Sequence, residues 1–139
     1  MGAVDEIKKK IENKQYELKD LPLFMKAVEE VAATNEDLQD ELEDQDDVII
    51  MMEVPGIVAG YMEIKDGKLT AGEGKHADPT VTIQMNEDVA AGLLTGEVDT
   101  ASAYMAGDIK IVGEMAKAMA LRSILEIVGE ELGVEMGGG

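Results

Sequence analysis

The chain of 139 residues contains no cysteine, no tryptophan, a single phenylalanine and a single histidine. The absence of cysteine excludes disulfides, thiolate metal sites and cysteine nucleophiles. The single histidine, His76, lies in a polar loop without an evident partner for acid–base catalysis, so we predict a solvated side chain. Neither a Gly-x-Ser-x-Gly nucleophile elbow nor a complete phosphate-binding loop is present. The sequence therefore predicts a protein that is not an enzyme and that carries no catalytic residue, no metal and no cofactor.

Basic residues are also few, since 12 lysines and arginines against 30 aspartates and glutamates give a formal net charge of −18. Nucleic-acid binding requires clustered basic side chains, and only Lys8 to Lys10 form such a cluster, so no nucleic acid is expected as a partner. Anionic membrane surfaces should repel so acidic a chain, and we expect only transient membrane contact. No apolar run approaches the roughly 18 residues of a spanning helix, and Met1 to Lys10 does not resemble a signal peptide. A cytoplasmic location is the expectation.

Two regions of the chain differ in their hydrophobic pattern. Residues 1–47 carry helical patterns, and residues 48–136 mix strand and helix patterns. No linker rich in proline, glycine or serine separates them, so we predict a single domain over residues 1–139. A first helix is predicted up to the break at Asp20-Leu21-Pro22, where a second helix begins. The apolar residues at helical spacing in the first helix are Val4, Ile7, Ile11 and Leu18.

The second region predicts five strands and three helices. Val48 to Met52 is an unbroken apolar run, which is typical of a central strand buried on both faces. Asp66-Gly67 is a tight-turn dipeptide, so the strands on either side of it should pair antiparallel. Asn86 is placed to cap the helix that follows the fourth strand, and a long final helix begins near Glu114. This order predicts an α+β fold, in which helices pack on a mostly antiparallel five-stranded sheet.

The pattern becomes specific between residues 58 and 128. In order, it contains the hairpin Tyr61–Gly67, the alternating strand Thr80–Met85, Asn86-Glu87-Asp88, Leu93-Leu94-Thr95-Gly96, Ala103–Gly107, Ile109–Gly113, and the helical residues Met115, Ala118, Met119 and Leu121. This series at near-fixed spacing resembles the sterol carrier protein type-2 family, the nonspecific lipid-transfer proteins. The resemblance implies a helix-covered sheet with an apolar tunnel between the two layers, which accepts fatty acyl chains, sterols or isoprenoid lipids. In one departure, Tyr61 stands where many members of the family have tryptophan.

The final helix and the methionines suggest where a lipid would bind. Met115 and Met119 lie roughly 100° or more around the helix from its core stripe, so the helix is apolar on two sides and needs two apolar partners. One partner can be the sheet, and the other can be an apolar lipid ligand. The chain has ten methionines, whose flexible side chains adapt to variable shapes. The core stripe consists of Leu121, Ile124, Leu125, Val128 and Leu132. The lipid-binding residues predicted to line the internal cavity are Met52, Met62, Met85, Leu94, Tyr104, Met105, Ile109, Ile111, Met115 and Met119.

A second interpretation gives the same residues a purely structural role. Methionines at helical or alternating spacing are commonly ordinary core, and the second side of the final helix could form a homodimer interface. The protein would then be a structural or dimerisation domain with a fully packed core and no ligand. The two interpretations differ in whether the purified protein carries lipid and exchanges it with an added acyl probe.

Overall fold

The architecture is taken from a computed structural model that describes residues 2–95 and 100–133, with the backbone alone at residues 93–95, 100, 101, 115 and 118–122. The helices within these ranges are α1 (Gly2–Glu12), α2 (Leu21–Thr34), α3 (Glu36–Glu43), α4 (Glu87–Thr95), α5 (Thr100–Met105) and α6 (Met115–Leu132), and one 3₁₀ turn, Leu18–Asp20, precedes α2. The strands are β1 (Val48–Val54), β2 (Val58–Lys65), β3 (Lys68–Glu73), β4 (Val81–Met85) and β5 (Ile109–Gly113).

The strands form one sheet in the order β3-β2-β1-β4-β5. β1 and β4 run parallel, and the other neighbouring pairs are antiparallel. β1 lies at the centre of the sheet, and its consecutive residues Ile50 and Met51, which point to opposite faces, are both buried. The predicted α+β fold with a mostly antiparallel five-stranded sheet is therefore confirmed. The parallel pair arises because the chain passes from β3 at one edge to the far side of β1 before it enters β4.

The connection between β2 and β3 is the tight hairpin that its sequence predicts. Asp66 and Gly67 have φ angles of 53° and 76°, the left-handed values that a type I′ turn requires at both central positions. The register set by this turn pairs Ile64 with Leu69 and places Met62 on the same face as Ile64. The turn thus aligns the apolar residues of both strands towards one side of the sheet.

Helices cover one face of the sheet, which we call the inner face. α2 lies over β2 and β3, α6 lies over β1, β4 and β5, and α1 packs against α2. The approach of α2 is close at Gly60, where a Cβ atom would come within 3.2 Å of Met25 Cγ. The inner face and the helices together form the hydrophobic core. Its buried strand residues are Val48, Ile50, Met52, Val54, Met62, Ile64, Leu69, Val81, Ile83, Met85 and Ile109.

The helices largely match the sequence prediction. Asn86 caps α4, since its side-chain oxygen accepts a hydrogen bond from the Val89 backbone N–H at 2.9 Å. Asn35 caps α3 in the same way, through the Leu38 backbone N–H at 3.0 Å. The predicted core stripe of α6 is confirmed where side chains are described, at Ile124, Leu125, Val128 and Leu132.

The segment 13–17 departs from the prediction of one helix that reaches Leu18. α1 ends at Glu12, Lys14 adopts a left-handed φ of 56°, and Leu18 lies in the separate 3₁₀ turn. The spacing of Ile11 and Leu18 suits a continuous helix, but the two side chains reach the core from different elements. As a consequence, Tyr16 belongs to a loop.

The opposite face of the sheet, which we call the outer face, is crossed by the loop 74–79. The backbone N–H of His76 donates to Met51 Sδ at 3.3 Å, and its ring meets Tyr61 edge-on with 4.9 Å between ring centroids. His76 Nδ1 also accepts a hydrogen bond from the Asp78 backbone N–H at 3.0 Å. The prediction of a solvated His76 is therefore wrong, because the half-buried ring holds this loop against the sheet.

Candidate binding cavity

A small cavity lies on the inner face, at the end of the sheet where the parallel strands β1 and β4 both finish. Its volume is about 30 Å³, which suits a water molecule or two. A lipid chain needs a site of roughly 300 Å³ or more, so the walls must move apart before a lipid can enter. The lining residues are Tyr16, Leu18, Leu21, Phe24, Met52, Glu53, Val54, Met85, Ala90 and Leu125.

The two sides of this cavity differ in how firmly they are held. One side is the ends of β1 and β4, which are hydrogen-bonded into the centre of the sheet. The other side includes the loop with Tyr16, the 3₁₀ turn with Leu18 and the short helix α4 with Ala90. Short elements with few buried contacts open at a lower free-energy cost than central strands do. Expansion of the cavity is therefore easiest on the side of the helices and the loop.

Tyr16 places a phenol in the cavity wall, next to a buried acidic residue. Asp20 Oδ2 accepts a hydrogen bond from the Glu17 backbone N–H at 2.9 Å and lies 3.5 Å from Lys10 Nζ. Burial and the charge of Asp20 raise the pKa of Tyr16 above its ordinary value, so the phenol keeps its proton at neutral pH. Among the residues that the structure describes, its hydroxyl has no hydrogen-bond partner.

Glu53 is the charged residue among these lining residues, and its carboxylate is bound on the outer face. Its side chain is 8% exposed, and Oε2 lies 2.8 Å from Lys75 Nζ. Oε1 accepts a hydrogen bond from Gln84 Nε2 at 2.9 Å. The hydrogen bonds from Lys75 and Gln84 lower the pKa of Glu53. The charge of Glu53 is therefore compensated on the face of the sheet opposite to the cavity.

Five of the residues predicted from the sequence lie on the inner face. Met52 and Met85 are brought together in the wall of the cavity. Met62 is fully buried one strand away in the core, Ile109 is buried beside Met85, and Ile111 is half-buried on the same face. These methionines and isoleucines belong to one apolar cluster on the inner face, and the cavity touches the cluster at Met52 and Met85.

The other five predicted residues lie on helices. Tyr104 is half-buried and packs against the core. Met105 is 89% exposed, so its predicted place inside the protein is wrong in this structure. The reason is that α5 has only six residues and turns Ala103 towards the core. The side chains of Leu94, Met115 and Met119 lie outside the described part of the structure.

Sequence reasoning missed Tyr16 and Phe24 as wall residues. The chain has only three tyrosines and one phenylalanine, and two of these four aromatic side chains line the cavity. Because aromatic residues are so scarce in this sequence, each of them is a candidate for the wall of a binding site. The sequence did not predict that Tyr16 lies in a loop, because the turn at residues 13–17 contains neither proline nor glycine.

An open crevice of about 480 Å³ adjoins the cavity. Val54 and Met85 line both spaces, so these two side chains stand between the interior and the crevice. Ile57, in the turn between β1 and β2, lines the crevice and is 49% exposed. The crevice and the cavity are therefore neighbouring spaces that share two wall residues.

Two further properties apply to residues 2–95 and 100–133. No helix there combines the length and the apolar character needed to cross a bilayer. Within the same ranges, no three histidine, aspartate or glutamate side chains are grouped so that they could hold a metal ion.

Comparison with known proteins identifies the family. The model of the SCP-2 sterol transfer family matches residues 25–126, whereas curated protein sequences give no significant match. Among solved structures, apo sterol carrier protein 2 from Yarrowia lipolytica has a TM-score of 0.60 at 16% identity, over 76% of this chain and 89% of that one.

Two more solved structures share the fold. Sterol carrier protein domain 2 of Helicoverpa armigera has a TM-score of 0.55 at 25% identity, over 85% of this chain and 94% of that one. A UbiJ–SCP2 ubiquinone synthesis protein has a TM-score of 0.58 at 12% identity, over 77% of this chain and 96% of that one. Family and fold together support a general function in lipid binding or transfer. The chain belongs to the SCP-2 sterol transfer family.

Proposed function

We propose that this protein is a lipid carrier, which binds an apolar lipid between the inner face of its sheet and the covering helices. The observation that carries the proposal is the cavity at the end of β1 and β4, whose wall is mostly apolar and includes Met52 and Met85. Flexible thioether side chains can repack around ligands of different shape. The cavity is then the place where the two layers begin to separate as a lipid enters.

The remaining inner-face residues extend the proposed site along the sheet. Met62, Ile109 and Ile111 would contact the ligand as the helices move away from the strands. Each methylene removed from water contributes about 0.8 kcal/mol, so a long acyl chain reaches roughly micromolar affinity after the costs of association. The same apolar core joins the N-terminal helices to the sheet, which supports a single domain over residues 1–139.

The primary test is the lipid content of natively purified protein. Mass spectrometry of an organic extract should detect a lipid in stoichiometric amount, and a fluorescent acyl probe should bind saturably and be displaced by unlabelled lipid. A protein that yields no lipid and binds no probe would contradict the proposal.

A matched pair of variants locates the site. Ala90 lines the cavity, whereas its neighbour Ala91 is exposed on the same helix. Ala90→Phe should fill the space and lower the probe affinity at least about tenfold, at a folding cost of roughly 1–3 kcal/mol. Ala91→Phe adds the same ring outside the cavity and should leave the affinity unchanged. Melting temperatures of both variants verify that they fold.

A structural role remains the alternative, and the small volume of the cavity favours it. A core that needs no ligand would be closed in this way, and the protein would act through a homodimer. In that case sedimentation should show a concentration-dependent dimer. The probe should then bind neither the parent protein nor the two phenylalanine variants.

A further inference from the structure

The two edges of the sheet differ in how their backbone groups are covered. At one edge, β3, the carboxylate of Glu29 from α2 accepts a hydrogen bond from the Ala71 backbone N–H at 3.1 Å. At the other edge, β5, Lys110, Val112 and Gly113 are exposed, and no strand among the described residues lies beyond it. An uncovered strand edge offers backbone donors and acceptors to a strand of another chain. β5 is therefore the edge at which such pairing is expected.

The ladder between β4 and β5 shows which backbone groups of β5 face outward. Glu114 extends this ladder, since its backbone N–H donates to the Thr80 carbonyl at 3.4 Å. Hydrogen-bonded residues alternate along an antiparallel pair, so the N–H and C=O groups of Val112 also point towards β4. Those of Ile111 and Gly113 point away from it. These outward groups can bond a further strand that lies antiparallel to β5.

A second copy of β5 complements this edge when a twofold axis passes through Val112. Ile111 of each copy then forms a hydrogen-bonded pair with Gly113 of the other. On the outer face the two Val112 side chains meet, and Lys110 lies opposite Glu114 of the other copy. Apolar pairs and opposite charges across neighbouring strands stabilise a sheet. This register therefore combines backbone, apolar and charge complementarity.

The neighbouring registers are less favourable because they bring like charges together. A register centred on Lys110 places the two lysines opposite each other, and one centred on Ile111 places Asp108 opposite Glu114. Like charges directly opposite one another destabilise a sheet. The register centred on Val112 also covers a side chain that is 47% exposed.

We propose that two copies of this protein associate through β5, with Val112 on the twofold axis, so that their sheets become continuous. The inference goes beyond the proposed function and does not depend on it, because the described lining residues of the cavity come from other elements. The contact is short, and each chain carries a net charge of −18, so the two copies repel at long range. The dimer should therefore be weak, with a dissociation constant on the order of 0.1 mM, and micromolar protein should be monomeric.

Disulfide cross-linking tests the position of the axis, because the chain contains no cysteine of its own. Val112→Cys places two thiols in a non-hydrogen-bonded pair with Cα atoms about 4.5 Å apart, which a disulfide can span. Thr70→Cys is the matched control, since Thr70 is exposed on the outer face of the opposite edge strand. Val112→Cys should form a covalent dimer at least about tenfold faster, because its thiols are held together by the pairing. Equal rates would overturn the proposal.

A charge exchange tests the register. Lys110→Glu places two carboxylates opposite each other at both ends of the contact, so sedimentation equilibrium should show dimerisation weakened at least about fivefold. Adding Glu114→Lys should restore it to within about twofold of the parent protein. Salt of about 0.2 M screens the distant charges more than the directly opposed ones, and melting temperatures verify that the variants fold.

The outcomes separate this inference from lipid binding. A parent protein that stays monomeric up to about 1 mM, or a double variant that dimerises no better than Lys110→Glu alone, would overturn the inference and leave the lipid carrier standing. Cross-linking through Val112→Cys without any binding of the acyl probe would support the inference and contradict the proposed function.

Discussion

The two faces of the sheet are built from the same strands but carry different chemistry. On the inner face, β1 presents Ile50 and Met52 to α2, α6 and the cavity. On the outer face, the same strand presents Met51 and Glu53 to the loop 74–79, through a sulfur hydrogen bond and an ion pair. The inner face is thus held by non-directional apolar contact and the outer face by directional polar contacts.

This difference indicates which face of the sheet can adapt to a bound lipid. Apolar contacts among methionines can be exchanged for contacts with a lipid at little cost. Directional hydrogen bonds such as those of Glu53 are lost outright when their geometry is broken, and a buried unpaired carboxylate is costly. The outer face therefore fixes the shape of the sheet, and under the proposed function the inner face is the side that opens.

The largest expected effect compares neighbouring isoleucines on opposite faces of β1. Ile50 is fully buried on the inner face, and Ile49 is half-buried on the outer face. Ile50→Ala should lower the free energy of unfolding by about 2–5 kcal/mol, because it leaves a cavity in the core. Ile49→Ala should cost roughly 1 kcal/mol. Equal losses in urea denaturation would show that the two faces are equally packed.

The next-largest effect concerns the aromatic ring of Tyr61, which lies on the outer face. Gly72 lies opposite Tyr61 in the sheet, and a Cβ atom at this glycine would overlap the tyrosine ring. Gly72→Ala should therefore cost about 1–3 kcal/mol, as overpacking does. In a Tyr61→Ala background the same substitution should cost much less. Additive losses in this double-mutant cycle would argue against the overlap.

A smaller effect tests the ion pair of Glu53. A carboxylate whose pKa is lowered on folding contributes stability above its unfolded pKa and loses it as the pH falls through the folded pKa. The pKa of Glu53 is lowered by Lys75 and Gln84, so Lys75→Met should cost about 1 kcal/mol near neutral pH. The difference from the parent protein should shrink as the pH falls below the ordinary glutamate pKa, and it should vanish once Glu53 is protonated in the folded protein. A cost independent of pH would assign the loss to packing.

The smallest effect is kinetic and compares two equally exposed apolar side chains. Ile57 borders the crevice and Val112 lies on the outer face, at 49% and 47% exposure. We expect brief membrane contact to occur at the crevice. Ile57→Ser should therefore slow transfer of a labelled lipid between zwitterionic vesicles by roughly threefold, because only part of one side chain is lost. Val112→Ser should leave the rate unchanged, and equal slowing in both variants would contradict this docking site.

Much of the fold could be predicted because local signals and long-range packing agree. The Asp66-Gly67 turn fixes the register of β2 and β3, and the apolar run of β1 requires a central position. The alternation of Val81, Ile83 and Met85 places one side of β4 on the inner face. These features depend on residue type and period, which the sequence contains.

The site was only partly predictable because it depends on where the chain turns. Residues 13–17 keep helical spacing although Lys14 breaks the helix, so Tyr16 could not be placed. Met105 continues an apolar pattern but ends a helix too short to bury both of its sides. Neither outcome follows from periodicity, since each depends on the residue at which a helix ends.

The most direct test of the account uses methyl resonances of methionine during titration with hexadecan-1-ol. Met51 and Met52 are adjacent in β1 but lie on opposite faces. The account predicts saturable shifts at Met52 and Met85, with Met51 and the exposed Met105 unchanged. Saturable shifts at Met51 alone, or none at Met52 and Met85 at saturating lipid, would contradict binding on the inner face.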